Sequence, residues 1–119
     1  MKKQVLSFKS AIAGLIWVIK TQLNFKIHLF LSLLSIVGGL YFQITYVEFL
    51  VIAMLITFGL IIEVMNTAIE EAIDAIHEDW LEKIRIAKDV SAAAMLIFSI
   101  GAFTIACIIF IPHIVKLLL

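Results

Sequence analysis

Residues 90–115 contain no Lys, Arg, Asp or Glu over 26 consecutive positions. As a helix this run is about 39 Å long, more than the roughly 30 Å of a bilayer's hydrocarbon core. A soluble domain of this size cannot hide such a run on every side; a membrane can. Residues 27–47 form a second run, free of formal charge apart from His28, and span about 30 Å as a helix. Residues 49–62 form a third, fourteen residues or about 21 Å. The chain is 64% hydrophobic with a mean hydropathy of +1.17, well above the roughly half-apolar composition of soluble domains. One Pro and five Gly leave few breakers, so helices are expected throughout. The expected fold is an all-α integral membrane protein forming one domain over residues 1–119. A surface helix over residues 5–25 precedes spans at 27–47, 48–76 and 90–115. Three spans enclose little interior, so a buried polar site would need neighbouring copies.

The N-terminal segment differs from the others. Its apolar core, residues 11–19, is too short to cross a bilayer. Lys2, Lys9 and Lys20 fall within about 40° of one another on a helix, as in a basic amphipathic helix lying on a membrane surface. A signal peptide is disfavoured, because no small-x-small cleavage site follows and Lys20 and Lys26 come too soon. Tyr41, Phe42 and Tyr46 mark the far interface, and Trp17 and Trp80 read as headgroup anchors. Five N-terminal lysines together with Lys83, Arg85 and Lys88 place both of these segments in the cytoplasm and the C-terminus outside. His28 and His113 sit at span ends and read as interfacial. Cys107 is the single cysteine, which leaves no intrachain disulfide.

The acids are not spread along the chain. Eight of the nine lie between Glu63 and Asp89. Because residues 49–62 are too short to span, the second span must carry Glu63 and Asn66 into the hydrocarbon or its inner boundary. Glu63, Asn66, Glu70 and Asp74 fall within about 80° of one another on a helix. A carboxylate at membrane depth costs on the order of 2–3 kcal/mol or more, so the stripe needs a neutralising cation. Oxygen-rich ligands favour hard cations, Mg²⁺ above all where phosphate completes the shell. Glu71, Glu78, Asp79 and Glu82 read as a solvated surface. Lys88-Asp89 opens the last span; beside the acidic stripe, Lys88 becomes a phosphate contact. "SAAA" at 91–94 and "SIVGG" at 35–39 supply small residues for close helix approach. No phosphate-binding glycine loop, CxxC or HExxH occurs. Asp74 and His77 form only half of a di-iron pattern. No nucleic-acid partner is expected.

The pattern E-x-x-N-x-A-I-E-x-x-x-D, read here at Glu63, Asn66, Ala68, Ile69, Glu70 and Asp74, precedes Ala87-Lys88-Asp89. Together these resemble the prokaryotic diacylglycerol kinase family, which includes the Gram-positive undecaprenol kinases. "NFKIH" at 24–28 is similar to the N-x-R-I-H of the Gram-positive branch, which tilts the acceptor toward undecaprenol over diacylglycerol. The resemblance implies a homotrimeric lipid kinase of the bacterial cytoplasmic membrane. Its active sites would be shared between subunits, with MgATP arriving from the cytoplasm and a lipid hydroxyl from the bilayer. It implies Glu63 as general base, Glu70 as Mg²⁺ ligand, and Asn66, Lys88 and Asp89 as nucleotide contacts, with Asp74 in support. Ser10 and Asp79 match further nucleotide-contact positions. Where the family commonly has a second metal-binding Glu, this chain has Gln22, whose amide oxygen can ligate Mg²⁺ without charge. A cation channel or transporter subunit whose stripe lines a permeation path is the competing reading. It gains nothing from a facing Lys88. A catalytically weak scaffold, suggested by Gln22, is the third.

Overall fold

The computed structural model describes residues 1–76 and 82–119. Among the described residues the chain forms four helices: α1 (Lys2–Thr21), α2 (Leu23–Tyr41), α3 (Tyr46–Ile76) and α4 (Glu82–Leu118). The last three are each long and apolar enough to cross a membrane. Their 19, 31 and 37 residues measure about 28, 46 and 55 Å. Only α2 matches a bilayer core in length; α3 and α4 outrun it.

α3 is the central element and packs against both α2 and α4. The up-down-up order follows from side-chain pairs across the interfaces. His28 of α2 faces Glu63 of α3. Along α4, Ser91 meets Asn66 and His113 meets Glu48. The α2–α3 turn is tight. A Cβ on Gly39 would fall 2.8 Å from Phe49 Cζ and 2.9 Å from Ile44 Cδ1, so a bare backbone lets the turn fold back on α2. Gln43 takes a left-handed φ of 53°. Thr45 and Glu48 then form a capping box. The Thr45 amide donates to Glu48 Oε2 at 2.7 Å, and the Glu48 amide donates to Thr45 Oγ1 at 3.2 Å.

Three boundaries differ from the sequence expectation. The break between the first two helices is the single residue Gln22, extended at φ −100° and ψ 111°. The first span therefore starts at Leu23 rather than residue 27, and Lys26 lies in its first turn. The polar stretch before Val90, read as a connection, is helical from Glu82 onward. Arg85 explains this: it pairs with Glu82 one turn back and with Asp89 at 2.8 Å one turn on, spacings that stabilise a helix surface. At the other end α4 continues past the expected limit at residue 115 to Leu118, with Pro112 inside the helix.

The two ends of the bundle differ in what they bury. Near the turn, Ile44, Ile52 and Ile109 form an apolar core, with Phe42, Phe49 and Phe110 packed against it. At the other end the buried set is mixed: Phe25 and Val18 together with the polar Glu63, Asn66, Thr67 and Ser91. Most large apolar side chains face outward, including Leu50, Phe58, Ile97 and Phe103. In lipid such exposure carries no hydrophobic cost, and helix packing then depends on fit and on polar contacts. α1 leans on α2 and α3, with Val18 buried.

Candidate active site

The stripe on α3 lies along one line and is graded in burial. Glu63 is 3% exposed and Asn66 9%, Glu70 is half-buried and Asp74 exposed. Each step outward meets a neighbouring helix differently. Glu63 Oε2 lies 3.8 Å from His28 Nε2 on α2, too far for a direct hydrogen bond. Asn66 Oδ1 accepts a 2.7 Å hydrogen bond from Ser91 Oγ on α4. Asp74 Oδ1 accepts from Lys88 Nζ at 2.5 Å. Glu70 stands between these pairs, near enough for its charge to act on both Glu63 and Lys88.

All residues of the sequence-derived site except Asp79 lie among the described residues. Asn66 and Asp74 face α4 through Ser91 and Lys88, whereas Glu63 is buried toward His28 of α2 and Glu70 lies between them on α3. Asp89 instead turns along its own helix to Arg85. Gln22 sits at the α1–α2 joint, and its amide nitrogen donates to Thr21 Oγ1 at 3.1 Å. The amide oxygen thus keeps its lone pairs for another donor or a cation. Ser10 is exposed on α1. Asp79, like Trp80 and His77, lies outside the described residues.

Three partners were not legible beforehand. His28 is not simply an interfacial side chain: it is half-buried and directed at the most buried acid of the stripe. His113, the other histidine read as interfacial, bonds Glu48 at 2.9 Å. Ser91, read as a small residue for close packing, also satisfies Asn66. With Oδ1 occupied, the Asn66 NH₂ remains a donor, suited to a phosphate or hydroxyl oxygen rather than a cation. Ser91→Ala removes the donor and leaves a buried acceptor unpaired, which costs about 1–3 kcal/mol. Thermal unfolding in detergent should therefore shift downward for Ser91→Ala. Ser91→Thr keeps the hydroxyl and should lose less.

Among the described residues no group of three or more His, Cys, Asp or Glu could enclose a metal ion. Among those residues the pattern is not that of a dedicated protein cage. It still suits Mg²⁺, which is held by one or two carboxylates and completes its shell with phosphate oxygens and water. Glu70 is a half-buried oxygen donor of the right kind, and the donor set is all oxygen once Gln22 is included. The residues present therefore fit Mg²⁺ delivered with a phosphate ligand.

The structure is thus a helical bundle of membrane-length helices with a buried carboxylate, Glu63, toward one end of α3 and a Lys88–Asp74 pair further out on the same stripe. The chain belongs to the prokaryotic diacylglycerol kinase family, a family of lipid kinases, whose model matches residues 9–110. Its relatives include a diacylglycerol kinase of Synechocystis sp., 30% identical over 115 residues. That match covers 96% of this chain but 66% of the Synechocystis protein, just under two thirds of its length. An undecaprenol kinase of Bacillus subtilis is 29% identical over 106 residues, which cover 89% of this chain and 86% of that protein.

Proposed function

We propose that this chain phosphorylates the hydroxyl of a membrane lipid with MgATP, at the cytoplasmic interface of a bacterial membrane. The observation that carries the reading is Glu63, a carboxylate 3% exposed on a membrane-length helix, with phosphate-suited donors in Asn66 about one turn and Lys88 about three turns further out. A buried intramembrane acid of this kind marks a functional site.

Phosphoryl transfer asks a protein for positioning and charge neutralisation more than for covalent chemistry. The lipid oxygen forms a bond to the γ-phosphorus while its O–H bond breaks and Glu63 takes the proton. The bond from the γ-phosphorus to the bridging oxygen breaks, and ADP leaves with that electron pair. Glu70, assisted by Gln22, would hold Mg²⁺, which would offset charge on the phosphates. Lys88 exchanges Asp74 for a phosphate oxygen when nucleotide arrives, and Asp74 holds it ready in the meantime. The Asn66 NH₂ donates to a phosphate oxygen. Asp89, Ser10 and Asp79 complete the nucleotide contacts. Three copies assemble around the exposed apolar faces, and α1 lies along the membrane surface with its lysines toward the cytoplasm.

The depth gradient supports this division of labour. Glu63 and Glu70 are seven positions apart, about 10 Å along the helix axis. The inner acid meets the lipid hydroxyl and the outer one meets the nucleotide. A cation path along the same stripe is disfavoured by Lys88, which sets an ammonium against Asp74. Divalent-cation flux into liposomes without ATP would speak for that path instead. The acceptor is undecaprenol, on the strength of the "NFKIH" motif and the Bacillus relative. In a competition assay with both lipids in the same vesicles, undecaprenol should have the higher kcat/KM. A diacylglycerol advantage of more than tenfold would overturn the choice of acceptor.

A further inference from the structure

The kinase reading leaves one group beside Glu63 without a role. His28 reaches from the second turn of α2, and its Nε2 stands 3.8 Å from Glu63 Oε2. That gap is too wide for a direct hydrogen bond and too narrow for an intervening residue. An oxygen atom placed between them fits, at about 2.8 Å from each, an ordinary hydrogen-bond distance.

The same imidazole is the polar end of a groove. A cavity of about 410 Å³ runs between α2, α3 and α4, with His28 among its lining residues. Its walls are mainly apolar, with Leu31, Leu55, Leu60, Phe98 and Phe103 among them. The serines on its α2 wall are already satisfied within their own helix. Ser32 Oγ donates to the His28 carbonyl at 2.7 Å, and Ser35 Oγ to the Leu31 carbonyl at 2.9 Å. Ligand sites commonly combine such an apolar surface with a few placed polar groups. Here the hydroxyl end would be held by His28 and Glu63, and the hydrocarbon by the groove.

We infer that His28 is a positioning residue for the acceptor, donating from Nε2 to the lipid hydroxyl oxygen while that hydroxyl directs its proton to Glu63. One oxygen lone pair is then held by His28, and the other is left to attack phosphorus. Glu63 takes the proton, and ADP departs with the electrons of the broken phosphorus–oxygen bond. This inference rests on the kinase reading and adds to it the group that orients the nucleophile.

The test is steady-state kinetics of the purified full chain in lipid vesicles, with γ-labelled ATP and undecaprenol or diacylglycerol as acceptor. His28→Ala should lower kcat/KM for the lipid about tenfold to hundredfold, the range expected for losing one hydrogen bond to a reacting polar group. The KM for MgATP should stay within about twofold of the original, because the nucleotide contacts lie further out. His28→Gln keeps an N–H donor of similar reach and should restore most of the loss. A merely structural role predicts a different pattern, with MgATP and lipid parameters falling together and no rescue by Gln. That pattern, or a His28→Ala variant equal to the original chain on the lipid, would overturn the inference while leaving the kinase reading intact. An unaltered chain that labels neither lipid would overturn the kinase reading, and this inference with it.

Discussion

Replacing Glu63 by Gln should lower kcat for lipid phosphorylation by about 10²–10⁴-fold, the usual contribution of a general base, while the protein still binds MgATP. Two features make the separation sharp. Glu63 is 3% exposed and its nearest charged-group neighbour is His28 at 3.8 Å, so the amide breaks no hydrogen bond. Removing a buried negative charge relieves a desolvation cost, so the variant should be at least as stable as the original chain. Loss of rate therefore cannot be put down to unfolding. Kinetics over a range of MgATP concentrations, with circular dichroism and thermal unfolding as controls, would check both halves. Loss of MgATP affinity in Glu63→Gln would place the residue on the nucleotide side.

Glu70→Gln should behave in the opposite way. The carboxylate is half-buried one and a half to two turns further out, and its charge acts on both Glu63 and Lys88. On the proposed role of Glu70 as the principal Mg²⁺ ligand, the substitution should raise the Mg²⁺ concentration needed for half-maximal rate by about tenfold or more, since loss of a ligand's support costs on the order of 10–100-fold. Excess Mg²⁺ should restore part of the rate. Gln22→Glu supplies a second anionic oxygen at the α1–α2 joint and should move the Mg²⁺ requirement down. A Mg²⁺ titration of the three proteins side by side decides the matter. If Glu70→Gln has the Mg²⁺ dependence of the original chain, the metal is held elsewhere.

Much of the architecture could be read from where charge is absent. Uncharged runs of bilayer length must be helices in lipid, because every backbone polar group has to be satisfied within its own segment. The α3 stripe was also legible, since spacings of three, four and four residues bring Glu63, Asn66, Glu70 and Asp74 onto one face. The joint at Gln22 carried no such signal. No Gly or Pro marks it, and Lys20 and Lys26 made the residues between them look like surface. The start of α4 at Glu82 had a local signal in the Glu82, Arg85, Asp89 spacing, just as Thr45-x-x-Glu48 signalled the start of α3.

The cross-helix pairs were a different matter. His28 and Glu63 are 35 positions apart, and Asn66 and Ser91 are 25 apart. Their meeting depends on the register of α2 and α4 against α3. That register is set by contacts such as the Gly39 approach to Phe49 and Gly59 beneath Phe98. Small-residue runs suggested close packing but not which helix would supply the partner. The stripe was therefore foreseen, while its partners His28 and Ser91 were not.

Phosphate is proposed to move from nucleotide to lipid at the Glu63 end of the bundle. Transfer of label from γ-labelled ATP to extracted lipid by the purified chain in vesicles tests this, with Mg²⁺ and with undecaprenol and diacylglycerol offered separately. A labelled lipid phosphate that depends on Mg²⁺ and is reduced to near background in Glu63→Gln is expected. Folded protein that labels neither lipid, or a Glu63→Gln variant that labels as much as the original chain, would contradict it.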